Sequence, residues 1–100
     1  MLIYRLEEVR LDHEPQEFVS AHVHIPENEE PGGWRVTFET REDPMLEPSE
    51  DRFALVLRAE GDVLLMGSGH VANVRFVDGG AYVEIVGEGG LNGVMDLGDF

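Results

Sequence analysis

The chain has 100 residues with 21 acidic side chains, seven arginines and no lysine, and its formal net charge is -14 at neutral pH. A surface this acidic repels phosphate, which excludes the basic footprint that DNA- and RNA-binding proteins use. The length fits one domain, residues 1–100, and the absence of cysteine excludes disulfide and thiolate chemistry. We therefore expect a single domain that meets cations or basic proteins.

The amino-terminal segment lacks a basic stretch followed by a continuous apolar run, so it does not have the pattern of a signal peptide. No run approaches the roughly 18 apolar residues that a membrane-spanning helix requires. The sequence therefore predicts a cytoplasmic protein without membrane association.

Apolar and polar residues alternate along most of the chain, which predicts strands. The first segment alternates from Leu2 to Leu6 and then changes phase at Val9, so we expect a β-bulge near residues 7 and 8. The next two strands have clear apolar faces. These consist of Val19, Ala21, Val23 and Ile25, and then of Trp34, Val36 and Phe38.

Turn residues divide the second half of the chain into hairpins. Glu60-Gly61-Asp62 separates two apolar runs, and Asp78-Gly79-Gly80 gives the strongest hairpin signal in the sequence. Gly67-Ser68-Gly69 suits a bend within a strand. Six or seven mostly antiparallel strands and no substantial helix favour a small antiparallel barrel over a two-sheet sandwich.

Two long acidic loops interrupt this pattern, at residues 26–33 and 41–51. Loops of this kind form contact surfaces when they are functional and solvated connections when they are not. The second loop also contains an isolated apolar pair, Met45 and Leu46. The acidic residues of the two loops are Glu27, Glu29, Glu30, Glu42, Asp43, Glu47, Glu50 and Asp51.

His22 and His24 project from one face of a predicted strand, at a spacing that suits a metal such as zinc, copper or iron. With Glu29 and the imidazole of His70 in a later glycine-rich segment, this pattern loosely resembles the cupin family. The resemblance implies a metal- or small-ligand-binding barrel that uses His22, His24, Glu29 and His70. The alternation itself places Ala21 and Val23 in the core, which predicts instead two surface histidines.

His70 is an even number of residues from Val74 and Phe76, so in a regular strand the three side chains lie on one face. We therefore expect the ring of His70 to be partly buried. Such a histidine is usually neutral and hydrogen-bonded to the backbone.

Catalytic signatures are missing from the sequence. There is neither cysteine nor lysine to act as a nucleophile, and Ser68 between two glycines is not followed by the helix of a nucleophile elbow. The glycines at 87, 89 and 90 match neither a P-loop nor a dinucleotide fingerprint. We therefore expect a non-enzymatic protein that uses no cofactor.

The carboxy terminus is acidic and apolar, ending in Asp99-Phe100 after Asp96. This tip, residues 96–100, resembles the partner-recruiting tips of single-stranded DNA-binding proteins. The resemblance implies insertion of the last ring and carboxylate into a basic pocket of a partner, whereas a final edge strand packed on the core is the alternative.

Charge and size together favour an acidic interaction domain, of the immunity or inhibitor type that neutralises a basic partner protein. Its expected contact residues lie in the second loop, with Met45 and Leu46 as anchors. The charged members of this set are Glu42, Asp43, Glu47, Glu50 and Asp51. The sequence leaves the oligomeric state open.

Overall fold

The computed structural model describes residues 2–26 and 33–94, with the backbone alone at residues 90 and 92–94. All regular structure in this part of the chain is β, and it contains no helix that could cross a membrane. Alternating apolar residues and few helix-favouring stretches explain this outcome. The strands are β1 Leu2–Leu11, β2 Glu14–Pro15, β3 Ser20–Ile25, β4 Arg35–Thr40, β5 Phe53–Ala59, β6 Val63–Val77 and β7 Gly80–Val94.

Six antiparallel strands close into a barrel in the order β1-β3-β4-β7-β6-β5, with β5 pairing back to β1. The short β2 is an additional strand that pairs with the end of β1. The predicted small barrel is therefore confirmed, and the sandwich alternative is wrong. Closure leaves few sheet edges that could pair with another chain.

The barrel interior is filled by the apolar face of each strand. Val36 and Phe38 from β4 are buried together with Val23 from β3 and Val83 from β7, as the alternation predicts. The exception is Val19, which lies just before β3 and is 48% exposed. Its predicted place in the core is wrong because Val19 lies at the end of the barrel, where it lines a surface groove with Val77.

The predicted irregularities of the first segment and of the turns are confirmed. The register of β1 against β5 shifts between Leu6 and Glu8, so Glu7 is the extra residue of a bulge. Residues 60–62 and 78–79 form the two predicted turns. Asp78 and Gly79 both have positive φ, as a two-residue type I′ hairpin requires.

The register of β6 against β7 shifts twice, and the second shift changes which residues of β6 share a face. Between Met66 and Ser68, at the predicted bend, the extra residues belong to β7, whereas between Val71 and Asn73 the extra residue is Ala72 of β6. The second bulge places Val74 opposite the buried Val83, whereas His70 lies on the outer face opposite Val86. The predicted common face of His70 and Val74 is therefore wrong, although the ring of His70 is partly buried as expected.

Candidate partner-binding cleft

An open cleft lies where β1 and β3 diverge. The two strands pair only through Leu2–Arg5 and residues 22–25, and beyond this point β1 pairs with β5 instead. The connection before β3 and the start of the loop after β4 form the other walls. The cleft has a volume of about 770 Å³ and is lined by Glu7, Gln16, Glu17, Phe18, Thr40, Arg41, Glu42, Asp43 and Pro44.

Four carboxylates surround this cleft, and they come from three separate segments of the chain. Glu7 is supplied by the β1 bulge, Glu17 by the connection before β3, and Glu42 and Asp43 by the long loop. Among the described residues none of the four forms an ion pair. Arg41 is the cation among the lining residues, so the cleft is strongly negative.

Phe18 provides an aromatic surface in this acidic cleft. Its ring packs against the buried ring of Phe38, with the centroids 6.4 Å apart and the planes inclined by 55°. Such tilted contacts are favourable for aromatic pairs and hold the ring in place. Phe18 remains partly exposed, so a ligand in the cleft can contact it.

Thr40 anchors the loop wall of the cleft to the barrel. Its buried hydroxyl donates a hydrogen bond of 2.6 Å to the carbonyl of Glu42 and accepts one of 3.1 Å from the backbone N–H of Ala81. The loop therefore starts in a fixed direction from β4. This places Glu42 and Asp43 toward Glu7 and Glu17.

A second, smaller groove of about 280 Å³ adjoins the cleft at Thr40 and Arg41 and reaches the β6–β7 turn. Val19 and Val77 line it, and both are nearly half exposed. Glu39 and Asp78 contribute two more carboxylates. The surface next to the acidic cleft is therefore a mixture of apolar and acidic side chains.

The predicted apolar pair of the long loop is divided by the structure. Met45 is 84% exposed and has positive φ, and its N–H is bound by the Asp43 side chain at 2.9 Å. Leu46 is partly buried and packs against the barrel core. Of the predicted pair, Met45 alone is therefore exposed, because Leu46 packs on the core.

The acidic residues predicted to contact a partner also differ in their position relative to the cleft. Glu42 and Asp43 line the cleft, whereas Glu47, Glu50 and Asp51 are exposed and do not line it. Those three lie on the part of the loop that runs past β6, where the N–H of Ser49 donates to the carbonyl of Val71.

No sequence motif predicts that Glu7, Glu17 and Phe18 line the cleft. Only the bulge at residues 7 and 8 was a usable signal, since bulges redirect side chains near functional sites. That Glu17 and Phe18 meet Glu42 depends on the antiparallel pairing of β3 with β4, which sets Ser20 opposite Glu39.

The three histidines of the cupin-like alternative do not converge. His22 and His24 are on the outer face of β3, as the alternation predicts, and His70 is on the outer face of β6 at the opposite side of the barrel. Glu29 lies outside the described residues. Within residues 2–26 and 33–94, no three histidine or acidic side chains are arranged to hold a metal ion.

His24 and His70 instead make local contacts on the barrel exterior. A ring nitrogen of His24, Nε2, lies 3.2 Å from the Thr37 hydroxyl. Burial lowers the pKa of His24, the Arg35 guanidinium and His22 lower it further, and Glu84 acts in the opposite direction. His70 Nδ1 is 3.7 Å from Glu88 Oε2, too far for a hydrogen bond.

The predicted carboxy-terminal tip, residues 96–100, and most of the first acidic loop lie outside the described residues. The recruiting role of Asp99-Phe100 therefore stays a prediction. Comparison of the chain with protein-family models, with curated proteins and with solved structures gave no match.

Proposed function

We propose that this domain is a non-catalytic interaction module that binds a basic segment of a partner protein in the acidic cleft. The proposed role is similar to that of immunity and inhibitor proteins, which neutralise basic enzymes. The observation that supports it is the convergence of Glu7, Glu17, Glu42 and Asp43 on one open cleft that contains a single arginine. We take the encounter to be cytoplasmic, as the sequence predicts.

Arginine is the side chain that this cleft suits best. A guanidinium donates paired hydrogen bonds to carboxylates and stacks on aromatic faces, and the cleft offers both kinds of group through its acids and Phe18. A cation over an aromatic ring contributes about 0.5–2 kcal/mol, depending on how far it is desolvated. Lysine would gain the charge attraction but not the planar stacking.

The acids and the apolar side chains have different roles in this proposal. Carboxylates around an open cleft attract a basic partner over a distance, which raises the association rate and makes it fall with salt. Met45 and the groove residues Val19 and Val77 provide apolar contact area beside the cleft. Contacts of that kind mainly set the dissociation rate.

The test is to capture partners from the source cell at low and high salt and to measure their binding kinetics. The Glu17→Gln/Glu42→Gln variant should bind the captured basic partner more slowly and with a weaker dependence on salt. Glu60→Gln/Asp62→Asn is the matched control, because both residues are exposed in the β5–β6 turn and the change in net charge is the same. Asparagine tolerates the positive φ of residue 62.

Equal association rates for the two double variants would contradict the proposal, since they would show that only the net charge matters. Unchanged binding in the cleft variant would exclude the cleft altogether. The hypothesis would then move to the carboxy-terminal Asp99-Phe100.

Substitutions of Met45 and Leu46 distinguish a residue that contacts the partner from one that stabilises the fold. Met45→Ser should speed dissociation of the captured partner and leave the stability of the domain unchanged, because Met45 is exposed. Leu46→Ser should lower the free energy of unfolding, because Leu46 packs on the core. Glu47→Gln/Glu50→Gln should slow association slightly, as expected for peripheral charges.

A further inference from the structure

The second half of β6 has an open edge. Strand β5 pairs with β6 only as far as Gly69, and the long loop then covers Val71 through the N–H of Ser49 at 3.0 Å. No other backbone hydrogen bond between described residues reaches the outer side of residues 72–77. Two large side chains lie on this segment, with Phe76 62% exposed and Val77 46% exposed.

The register shows which backbone groups face outward at this edge. Val77 and Gly80 close a two-residue hairpin, so they form a hydrogen-bonded pair. Because such pairs alternate with non-hydrogen-bonded ones, the N–H and C=O groups of Val74 and Phe76 point away from β7. Ala81, which lies opposite Phe76, agrees with this: its N–H donates to Thr40 on the far side of β7.

Strand β6 is also unusual in its charge. From Val63 to Val77 there is no acidic residue, in a chain where 21 of 100 residues are acidic. Arg75 is the charged side chain of the open segment, and it lies over the ring of Tyr82 at 5.4 Å. The segment therefore has a single charged side chain, held over Tyr82, to protect its edge from pairing with another strand.

We propose that the edge of β6 at residues 72–76 pairs in antiparallel fashion with the same segment of a second copy of this chain. A twofold arrangement centred on Val74 pairs the outward backbone groups of Val74 with those of its counterpart and directs those of Phe76 toward the backbone of Ala72. It places the exposed ring of Phe76 opposite Ala72 of the second copy, where a small side chain leaves room. It also places Arg75 opposite Asn73, so no like charges meet.

This pairing adds a strand to the barrel wall and joins the two barrels through backbone hydrogen bonds. Five residues on each side bury little surface, so the dimer is of the weak, reversible kind. The dimerisation constant should depend on salt in the opposite direction to the affinity of the cleft for a basic partner. Two chains with a charge of -14 repel each other, and salt screens the repulsion and strengthens the dimer. Salt weakens binding of a basic partner.

The test is sedimentation equilibrium of the full chain, from dilute solution to about 1 mM, at low and high salt. A dissociation constant of about 1 mM corresponds to a binding free energy of about -4 kcal/mol. We expect a monomer–dimer equilibrium that shifts toward the dimer as salt rises. In the dimer, the amide hydrogens of Val74 and Phe76 should exchange more slowly than in dilute solution. A chain that stays monomeric at about 1 mM in high salt overturns the proposal.

Two variants identify the edge. Phe76→Pro removes an outward N–H and the exposed ring without removing a bond to β7, since edge positions tolerate proline. Phe76→Lys keeps the N–H and adds a charge that faces the second copy. Both should raise the dimer dissociation constant by about tenfold or more, because the proline variant loses backbone hydrogen bonds across the interface and the lysine variant replaces the apolar contact of the Phe76 ring with a charge.

Ile3→Lys is the matched control, because it makes the same charge change at an exposed residue of β1, a strand that does not pair with β6. It should dimerise as the wild type does. Wild-type dimerisation in both Phe76 variants overturns the proposal, and so does loss of the dimer in Ile3→Lys. Circular dichroism and thermal unfolding of dilute samples verify the fold, and Phe76→Lys carries the test if the proline variant does not fold.

Discussion

Gly87 lies directly beneath the indole ring of Trp34. A β-carbon built at position 87 would overlap Cε2 of that ring, and the N–H of Gly87 donates to the carbonyl of Trp34 at 2.8 Å. The ring cannot move aside easily, because it is buried and its own N–H donates to the carbonyl of Gly89. The position of the Trp34 side chain therefore depends on residue 87 having no side chain.

Gly87→Ala should lower the free energy of unfolding by about 3 kcal/mol or more, since the added methyl group overlaps a fixed ring. The chain has one tryptophan, so a red shift of its fluorescence would report displacement of the indole. Gly79→Ala is the control. No atom lies within 4 Å of its added carbon, and its cost is limited to the positive φ, about 1 kcal/mol. Equal costs for the two variants would show that Trp34 adapts.

Phe38→Ala should be among the most destabilising single substitutions, by about 3–5 kcal/mol, because its ring is buried at the centre of β4 and supports Phe18. Phe76→Ala makes the same chemical change at an exposed position. At concentrations where the chain is monomeric it should cost about 0.5 kcal/mol or less. Urea denaturation of both variants measures the difference, and similar values would contradict the packing described for β4.

Thr40→Val should cost about 1–3 kcal/mol, because it leaves the buried N–H of Ala81 without its acceptor and the carbonyl of Glu42 without its donor. Thr37→Val is a suitable comparison, since among the described residues the Thr37 hydroxyl lies within hydrogen-bond distance of the His24 ring but not of a backbone group. Its effect should be smaller. If Thr40→Val is the milder of the two, the hydroxyl of Thr40 does not anchor the loop.

The stability of the domain should fall as the pH decreases below the ordinary histidine value of 6.5. Because burial and then Arg35 lower the pKa of His24 in the folded state, the unfolded chain binds a proton more readily in this range, and acid favours unfolding. The penalty is absent well above pH 6.5 and complete below the lowered pKa.

His24→Gln should therefore reduce the slope of unfolding free energy against pH between about 5.5 and 7.5. Arg35→Gln keeps the imidazole and removes the second cause of the lowered pKa, so its slope should be intermediate. Denaturant titrations across this range measure both. An unchanged slope in His24→Gln would show that this histidine does not contribute.

Local patterns were sufficient to predict the strands, the turns at 60–62 and 78–80, and the bulge at Glu7. Each depends on neighbouring residues: the period of two places Val36 and Phe38 on one side, and Asp-Gly sequences accept the positive φ of tight turns. The outward direction of His22 and His24 follows from the same rule.

The cleft could not be predicted in this way, because Glu7, Glu17 and Glu42 are neighbours only after β1 leaves β3 and the barrel closes. The face of His70 was beyond local reasoning too, since a single bulge at residues 71–73 inverts the alternation without any sequence signal. Packing likewise decided that Leu46 joins the core while Met45 stays exposed. Alternation thus determined the wall of the barrel, and the long-range register of its strands decided which side chains meet on its surface.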